Sequence, residues 1–320
     1  LDGAKRYPEA FAAYASGQGL LRDQYRDAFV RPDVKPAAEA VRHVLTEFEG
    51  TSSEGWSRPS TPPARPEERR HAFLLGFMRT GTTLFEQVLA SHPDVVALGE
   101  RPVMIEAEEE FLTQPGGIAR LADVASGLLE PYRESYWRRV REFDVEPAGK
   151  LFVDKHPLST FRLPLISKMF PSAKIIFALR DPRDVVLSCF RRGFNMNPAT
   201  YAFTSLEETA KYYDAVMESG AVYLEQLPVD VHQLRYESLV ADFEGVVRAA
   251  CDFLGITWNP RMMDFAETSK TRAITTPSSV QIGRGLYDEG VDQWRRYAFA
   301  LEPVMPILRP WIERFGYAPD

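Results

Sequence analysis

This chain reads as an α/β protein, a parallel sheet flanked by helices with a small helical segment at its N-terminus. Two kinds of observation predict that class. Short apolar runs at 72–77, 151–153, 174–179 and 231–234 have strand length, and the first is continuous enough to be buried on both faces. Between the runs, apolar residues recur at helical spacing, as Leu84, Val88 and Leu89 do after the first. The 320 residues allow one large domain plus an appendage, and 45% hydrophobic residues provide a sizeable core.

Composition excludes several classes. A net charge of −7 argues against nonspecific nucleic-acid binding, so an anionic ligand here depends on local positive charge. The two cysteines, Cys189 and Cys251, fall in amphipathic stretches and read as buried thiols rather than a disulfide or a metal pair. The five histidines show no ligand spacing. No run of about 18 apolar residues and no signal peptide is visible, which gives the expectation of a cytoplasmic protein without a transmembrane segment.

In chain order, residues 1–49 read as helices, the second spanning 37–48. Tyr7, Ala10, Tyr14 and Gly17 are spaced as in the second helix of a tetratricopeptide repeat, so 1–49 is a possible end of such an array. Residues 50–70 hold Pro59, Pro62, Pro63 and Pro66 among serines and charges and read as a linker. The catalytic domain is expected over 71–320. Its first strand runs into a turn in which Gly76 and Gly81 enclose residues 77–80, and a helix opens at about Thr82. Backbone N–H groups and the helix dipole favour an anion there, most often a phosphate. The spacing is P-loop-like, but Thr82-Thr83 stands where a P-loop has Lys and Ser/Thr. The positive charge sits inside the loop instead, on Arg79, so the loop suits a phosphate-like group better than a γ-phosphate.

A short strand is expected at 95–98, ending in Gly99-Glu100, then mostly helix over 103–146 with a break at Pro115-Gly116-Gly117. The 151–153 strand ends in Asp154-Lys155-His156-Pro157, polar groups at the carboxyl end where open α/β sheets gather ligands. After the 174–179 strand come Arg180-Asp181-Pro182-Arg183-Asp184 and a helix carrying Ser188. The tyrosines of the long 206–227 helix read as core or groove lining. The 231–234 strand ends in Arg235-Tyr236-Glu237, and a helix over 246–254 stops at Gly255. Residues 267–297 suggest a covering loop and a helix at 294–297, and 301–317 close the chain with a helix.

Met78-Arg79-Thr80-Gly81-Thr82-Thr83-Leu84 resembles the Pro-Arg-Ser-Gly-Thr-Thr-Leu loop of sulfotransferases, with Met78 for proline and Thr80 for serine. In that family the loop binds the 5′-phosphosulfate of PAPS (3′-phosphoadenosine 5′-phosphosulfate), which leaves as PAP. The resemblance implies that Arg79, Thr80, Gly81, Thr82 and Thr83 hold that group. Arg180 and Ser188 match the family's second signature, an arginine and a serine on the 3′-phosphate. An arginine fork suits such bidentate binding. Tyr236 would lie near the adenine, and Ser278 and Arg295 match a late Ser…Trp-Arg-x-Tyr region as further 3′-phosphate contacts.

Sulfuryl transfer is kin to phosphoryl transfer, driven by in-line positioning and electrostatics. Arg79, the amides of 81–83 and Lys155 are expected to stabilise the leaving phosphate. Two residues compete as the base that takes the acceptor's proton. Glu100 ends the strand beside the loop, where tyrosylprotein-type sulfotransferases, which the chain also resembles, place a glutamate. His156 follows the lysine as in cytosolic sulfotransferases, one residue short of their spacing, and otherwise reads as a capping or structural histidine. No metal is implied. The acceptor bears a hydroxyl or an amine, and small molecule, glycan and protein tyrosine all stay open. The alternatives are a nucleoside or small-molecule kinase on the same scaffold, for which the P-loop lysine and an acidic Mg²⁺ partner are missing, and a noncatalytic binding protein whose helical N-terminus docks partners.

Overall fold

The computed structural model describes residues 1–58, 70–270 and 290–319, excepting the side chains of 268–270. Strands β1 (His71–Leu75), β2 (Val95–Ala97), β3 (Leu151–Lys155), β4 (Lys174–Leu179) and β5 (Asp230–Arg235) form one sheet in the order β2-β3-β1-β4-β5. All neighbours are parallel, with His71 opposite Phe152 and Ala72 opposite Lys174. The first strand is therefore central. Its outgoing loop lies between the carboxyl ends of β3 and β4, where the connections leave toward opposite edges and open α/β sheets bind ligands.

Helices α1 (Tyr7–Phe29) and α2 (Ala37–Glu49) precede the sheet, and α3 (Thr82–Ala90) follows β1. Between β2 and β3 come α4 (Ile105–Glu108), α5 (Gly117–Asp123) and α6 (Glu130–Glu142), and α7 (Leu163–Met169) joins β3 to β4. Between β4 and β5 lie α8 (Pro182–Phe190), α9 (Pro198–Tyr201) and α10 (Leu206–Gln226). After β5 come α11 (Tyr236–Ala241), α12 (Phe243–Leu254) and α13 (Phe265–Lys270), and the helix Met305–Arg314 closes the chain.

The strands are apolar on both faces because both faces are covered. Phe73, Phe152, Ile175 and Phe177 point to one side, onto α2, α6 and α10. Leu74, Val153 and Ile176 point to the other, onto α3 and α12. Edge strand β5 is the exception, carrying Asp230, His232, Gln233 and Arg235, all at least partly exposed. The predicted break near 115–117 is present at Gly116, which takes φ +65°, and the segment before it, Glu109–Thr113, winds as a π turn. Both cysteines are buried and unbridged.

The N-terminal helices lie on the α/β unit. Val41, Val44, Leu45 and Phe48 of α2 join its core beside α10. On α1, Ala10 is buried, the Tyr7 ring meets Tyr297 edge-on, and Gln18 Nε2 donates to the carbonyls of Phe190 at 2.6 Å and Arg192 at 3.1 Å, at the end of α8. The 50–70 stretch begins with a packed turn, Ser53–Trp56, whose Trp56 ring sits 5.0 Å from Phe48. Its proline-rich part, 59–69, lies outside the described residues. Among the described residues no helix is long and apolar enough to cross a membrane.

A polar trio sits inside the apolar layer. Tyr136 OH donates to Asp154 Oδ2 at 2.8 Å and lies 3.0 Å from His71 Nε2. Burial drives both titrating partners toward neutrality, pushing His71 down to about 3 and Asp154 up to about 7, the latter against the hydrogen bond from Tyr136. Unfolded, Asp154 ionises near 3.8, so the folded chain holds a proton that the unfolded chain has lost. That contribution is complete below about pH 4 and disappears as pH rises through 7. The Asp154→Asn variant lacks it. The stability of wild type minus that of the variant, from urea titrations, should therefore fall by roughly 1.4 kcal/mol per unit between about pH 4 and 7. A flat difference contradicts this.

Candidate active site

The loop from Gly76 to Gly81 is held in a conformation that few residues tolerate. Gly76 takes φ +149°, and a Cβ there would lie 2.5 Å from the Ala178 carbonyl oxygen. Gly81 takes φ +93°, and a Cβ would meet the Tyr236 ring at 2.7 Å. Arg79 takes φ +70° without being glycine, a conformation that costs on the order of 1 kcal/mol. Left-handed residues at 79 and 81 turn the backbone so that successive N–H groups line a concavity at the start of α3, a shape that binds anions. The turn after β3 fastens the loop. Gly76 N donates to Pro157 O and to Thr160 Oγ1, each at 3.1 Å, and Thr160 Oγ1 donates back to Gly76 O at 2.7 Å. Thr80 Oγ1 donates to Phe77 O at 2.7 Å, and Thr82 and Thr83 are buried at the helix start.

The second motif closes on the first. Arg79 Nε donates to Ser188 Oγ at 3.1 Å, and Arg180 Nη1 donates to the Arg79 carbonyl at 2.9 Å. Arg180 Nη2 also donates to Gly290 O, and its guanidinium stacks 4.7 Å from the Tyr236 ring centroid. Its approach to Asp184 is long, 3.9 Å, while Asp181 pairs instead with Arg183 at 2.7 Å. Arg180 is therefore turned toward the loop rather than spent on neighbouring acids. Its Nε is buried without a partner among the described residues. Behind it Asp184, pushed up to about 6 by burial against the pull of Arg180, accepts from Trp294 N at 2.8 Å.

A second cluster gathers Lys155, Glu86 and Glu100. The Lys155 ammonium is fully buried. Its Nζ donates to Glu100 Oε1 at 2.6 Å and stands 3.3 Å from Glu86 Oε2. Glu100 is the exposed member, with 25% of its side chain accessible. Glu86 is a site residue that the sequence reading missed. The one signal was an acid on α3 among Leu84, Phe85, Val88 and Leu89, a helix otherwise apolar on that side.

His156 stands apart from this cluster. As the next residue along the strand it leaves the sheet on the opposite side. It is partly buried, and its Nδ1 has no partner among the described residues. Burial, then the charges of Arg162 and Lys155, push it down to about 3. Its side chain caps nothing. Arg295 lies in the Gln293–Tyr297 turn with 48% of its side chain exposed, paired with Asp292 at 3.4 Å and stacked on Trp294. Ser278 lies outside the described residues. A chain of contacts thus joins Ser188, Arg79, Arg180, Tyr236 and Gly81, Lys155 and Glu100 form a pair, and His156 and Arg295 lie outside both groups.

An uncharacterized protein of Aquifex aeolicus is 27% identical over 321 residues, covering 97% of this chain and 40% of that protein's length. Protein-tyrosine sulfotransferase 1 of Danio rerio is 25% identical over 271 residues, 81% of this chain and 76% of its own. The chain thus spans less than half the length of the Aquifex relative. Among solved structures, the sulfotransferase domain of the Synechococcus PCC 7002 olefin synthase superposes with a TM-score of 0.54 at 20% identity, over 82% of this chain and 98% of that one, a likeness of fold. The model of the sulfotransferase family matches residues 72–260, from β1 through the glycine loop and Arg180 to the end of α12, and the chain belongs to that family.

Proposed function

We propose that this chain transfers a sulfuryl group from PAPS to a hydroxyl or amine acceptor. The observation that carries the reading is the convergence of Arg79, Arg180, Ser188 and Tyr236 on one anion-binding loop. PAPS fits these residues by charge and shape. Arg79 and the N–H groups of 81–83 would take the 5′-phosphosulfate. Arg180, whose Nε has no partner among the described residues, and Ser188 would take the 3′-phosphate, and the Tyr236 ring would support the adenine. Arg295 and Ser278 remain the outer candidates for the 3′-phosphate.

PAPS would supply the sulfuryl group, its bond to the 5′-phosphate breaking as the acceptor oxygen or nitrogen bonds to sulfur. The protein's residues position and compensate. Arg79, the loop amides and Lys155 face the charge that gathers on the departing phosphate. Glu100 takes the acceptor's proton, because it is the accessible carboxylate at the loop and Lys155 fixes one of its oxygens. A histidine held near 3 binds that proton poorly, which argues against His156 as the base. No feature favours the kinase alternative. The reading of α1 as the closing helix of a tetratricopeptide array rests on the spacing of Tyr7, Ala10, Tyr14 and Gly17.

Titration of the chain with PAP, with ATP–Mg²⁺ in parallel, should give stabilisation by PAP alone. At a hundredfold excess over Kd the gain is about 2.7 kcal/mol in chemical denaturation. The Arg79→Ala and Arg180→Ala variants should lose most of it, and a response confined to ATP–Mg²⁺ would sink the proposal. Glu100→Gln keeps an oxygen for Lys155 but removes the base. Its turnover should drop by roughly 10²–10⁴ with PAP affinity unchanged, whereas His156→Ala should leave the chemical step within a few-fold. Single-turnover rates and PAP binding measured together check this, and near-normal chemistry in Glu100→Gln moves the base elsewhere.

A further inference from the structure

A cleft of about 440 Å³ opens against α2, lined by Val41 and Val44 and by Leu112, Leu158, Phe161 and His156. Two contacts tie it to the reacting end of the site. The turn that presents Leu158 and Phe161, Pro157–Arg162, is the one that grips Gly76 through Pro157 O and Thr160 Oγ1. Tyr212, also on the wall, packs edge-on against Phe77 of the loop, ring centroids 5.5 Å apart. His156, on the lining, follows Lys155 directly, so the cleft reaches the carboxyl end of β3 on the face opposite Lys155.

The lining describes its occupant. Its volume lies in the range of small-molecule sites, about 300–1,000 Å³. Most of the wall is aliphatic or aromatic. Two partly buried charges on the wall pair with each other, Arg162 Nη2 meeting Glu108 Oε2 at 2.9 Å, and the His156 imidazole stays neutral. Lys35 adds positive charge at the rim. A second hollow of about 480 Å³, bearing Arg22 and Arg31, shares Lys35, Ala37 and Pro198 with the cleft. An extended anionic chain would need that basic annex, whereas a compact neutral molecule would not.

We propose that this cleft is the acceptor site, that α2 of the N-terminal segment is its specificity wall, and that the acceptor is a compact, uncharged, largely apolar hydroxyl compound. The proposal rests on the sulfotransferase reading above. It gives the N-terminal helices a direct part in substrate choice rather than a separable docking role.

The test uses the full chain saturated with PAP, titrated with the fluorescent phenol 2-naphthol. In parallel, sulfation of 2-naphthol from PAPS is compared with sulfation of a tyrosine peptide flanked by aspartates. 2-Naphthol should bind one to one and be turned over at least a hundredfold more efficiently than the peptide. Leu112→Trp, which fills the cleft from a partly exposed position, should weaken naphthol binding and raise its KM at least tenfold while PAP affinity stays unchanged. Should the tryptophan disturb folding, seen as lost PAP binding, Val44→Ala removes wall instead and should still weaken naphthol binding several-fold. Intact PAP binding with no naphthol binding, with efficient peptide sulfation, or with naphthol affinity indifferent to Leu112→Trp and Val44→Ala overturns the proposal. Absent PAP binding in wild type overturns the sulfotransferase reading first, and this one with it.

Discussion

The site depends on one costly placement, an ammonium group with no exposure to water at the end of β3. Burying a cation without partners costs several kcal/mol after relaxation, far more than the fraction of a kcal/mol that an exposed pair such as Arg248–Glu244 contributes. Lys155 is tolerated because Glu86 comes from α3 and Glu100 from the end of β2 to meet it. Three elements are thereby tied together by charge, and the tie fixes Glu100 beside Lys155 at the carboxyl end of β3.

The phosphate loop is held from three sides by contacts that local propensity would not provide. Left-handed Arg79 is strained, and Gly76 and Gly81 are required by the Ala178 carbonyl and by the Tyr236 ring. The Pro157–Arg162 turn grips its start, Arg180 its middle and Tyr236 its end. Such over-determination is what allows strain to persist at a functional site. It also means that both motifs and the turn after β3 stand or fall together, so the effects of Arg79 and Arg180 substitutions will not be additive.

What was legible in the sequence was what chemistry writes locally. The strand–loop–helix unit, the break near Gly116 and the C-cap at Gly255 all announce themselves through periodicity or through residues needed for a backbone shape, whereas Arg180 and Ser188 stood out only through the family resemblance. Glu86, the Glu108–Arg162 pair and the Tyr136–Asp154–His71 trio did not, because each joins residues far apart in the chain whose types are ordinary where they stand. The same applies to α2. Its apolar stripe of Val41, Val44, Leu45 and Phe48 showed that it must bury a face, but not that α10 and the site cleft would be the surface it meets. Trp56, inside a stretch read as linker from its prolines and serines, packs on Phe48 for a reason visible only once α2 is placed.

Alternation along β3 turns a run of polar residues into two chemically distinct faces. Asp154 and His156 project to the side of α6 and α10, and Lys155 to the side of α3. On the α3 side charge is kept and compensated. On the other side it is suppressed, with Asp154 raised to about 7 and His156 lowered to about 3 by the same desolvation. In the proposed transfer, consecutive residues would serve opposite ends: the charged face would stabilise the leaving anion and hold the carboxylate that takes a proton, and the neutral face would accept a molecule that must shed water. A histidine placed after the lysine would be an equal rival to Glu100 if the strand exposed both residues to one environment. Because the pleat separates them, the imidazole faces the neutral side, and the accessible carboxylate stays beside Lys155 on the charged one.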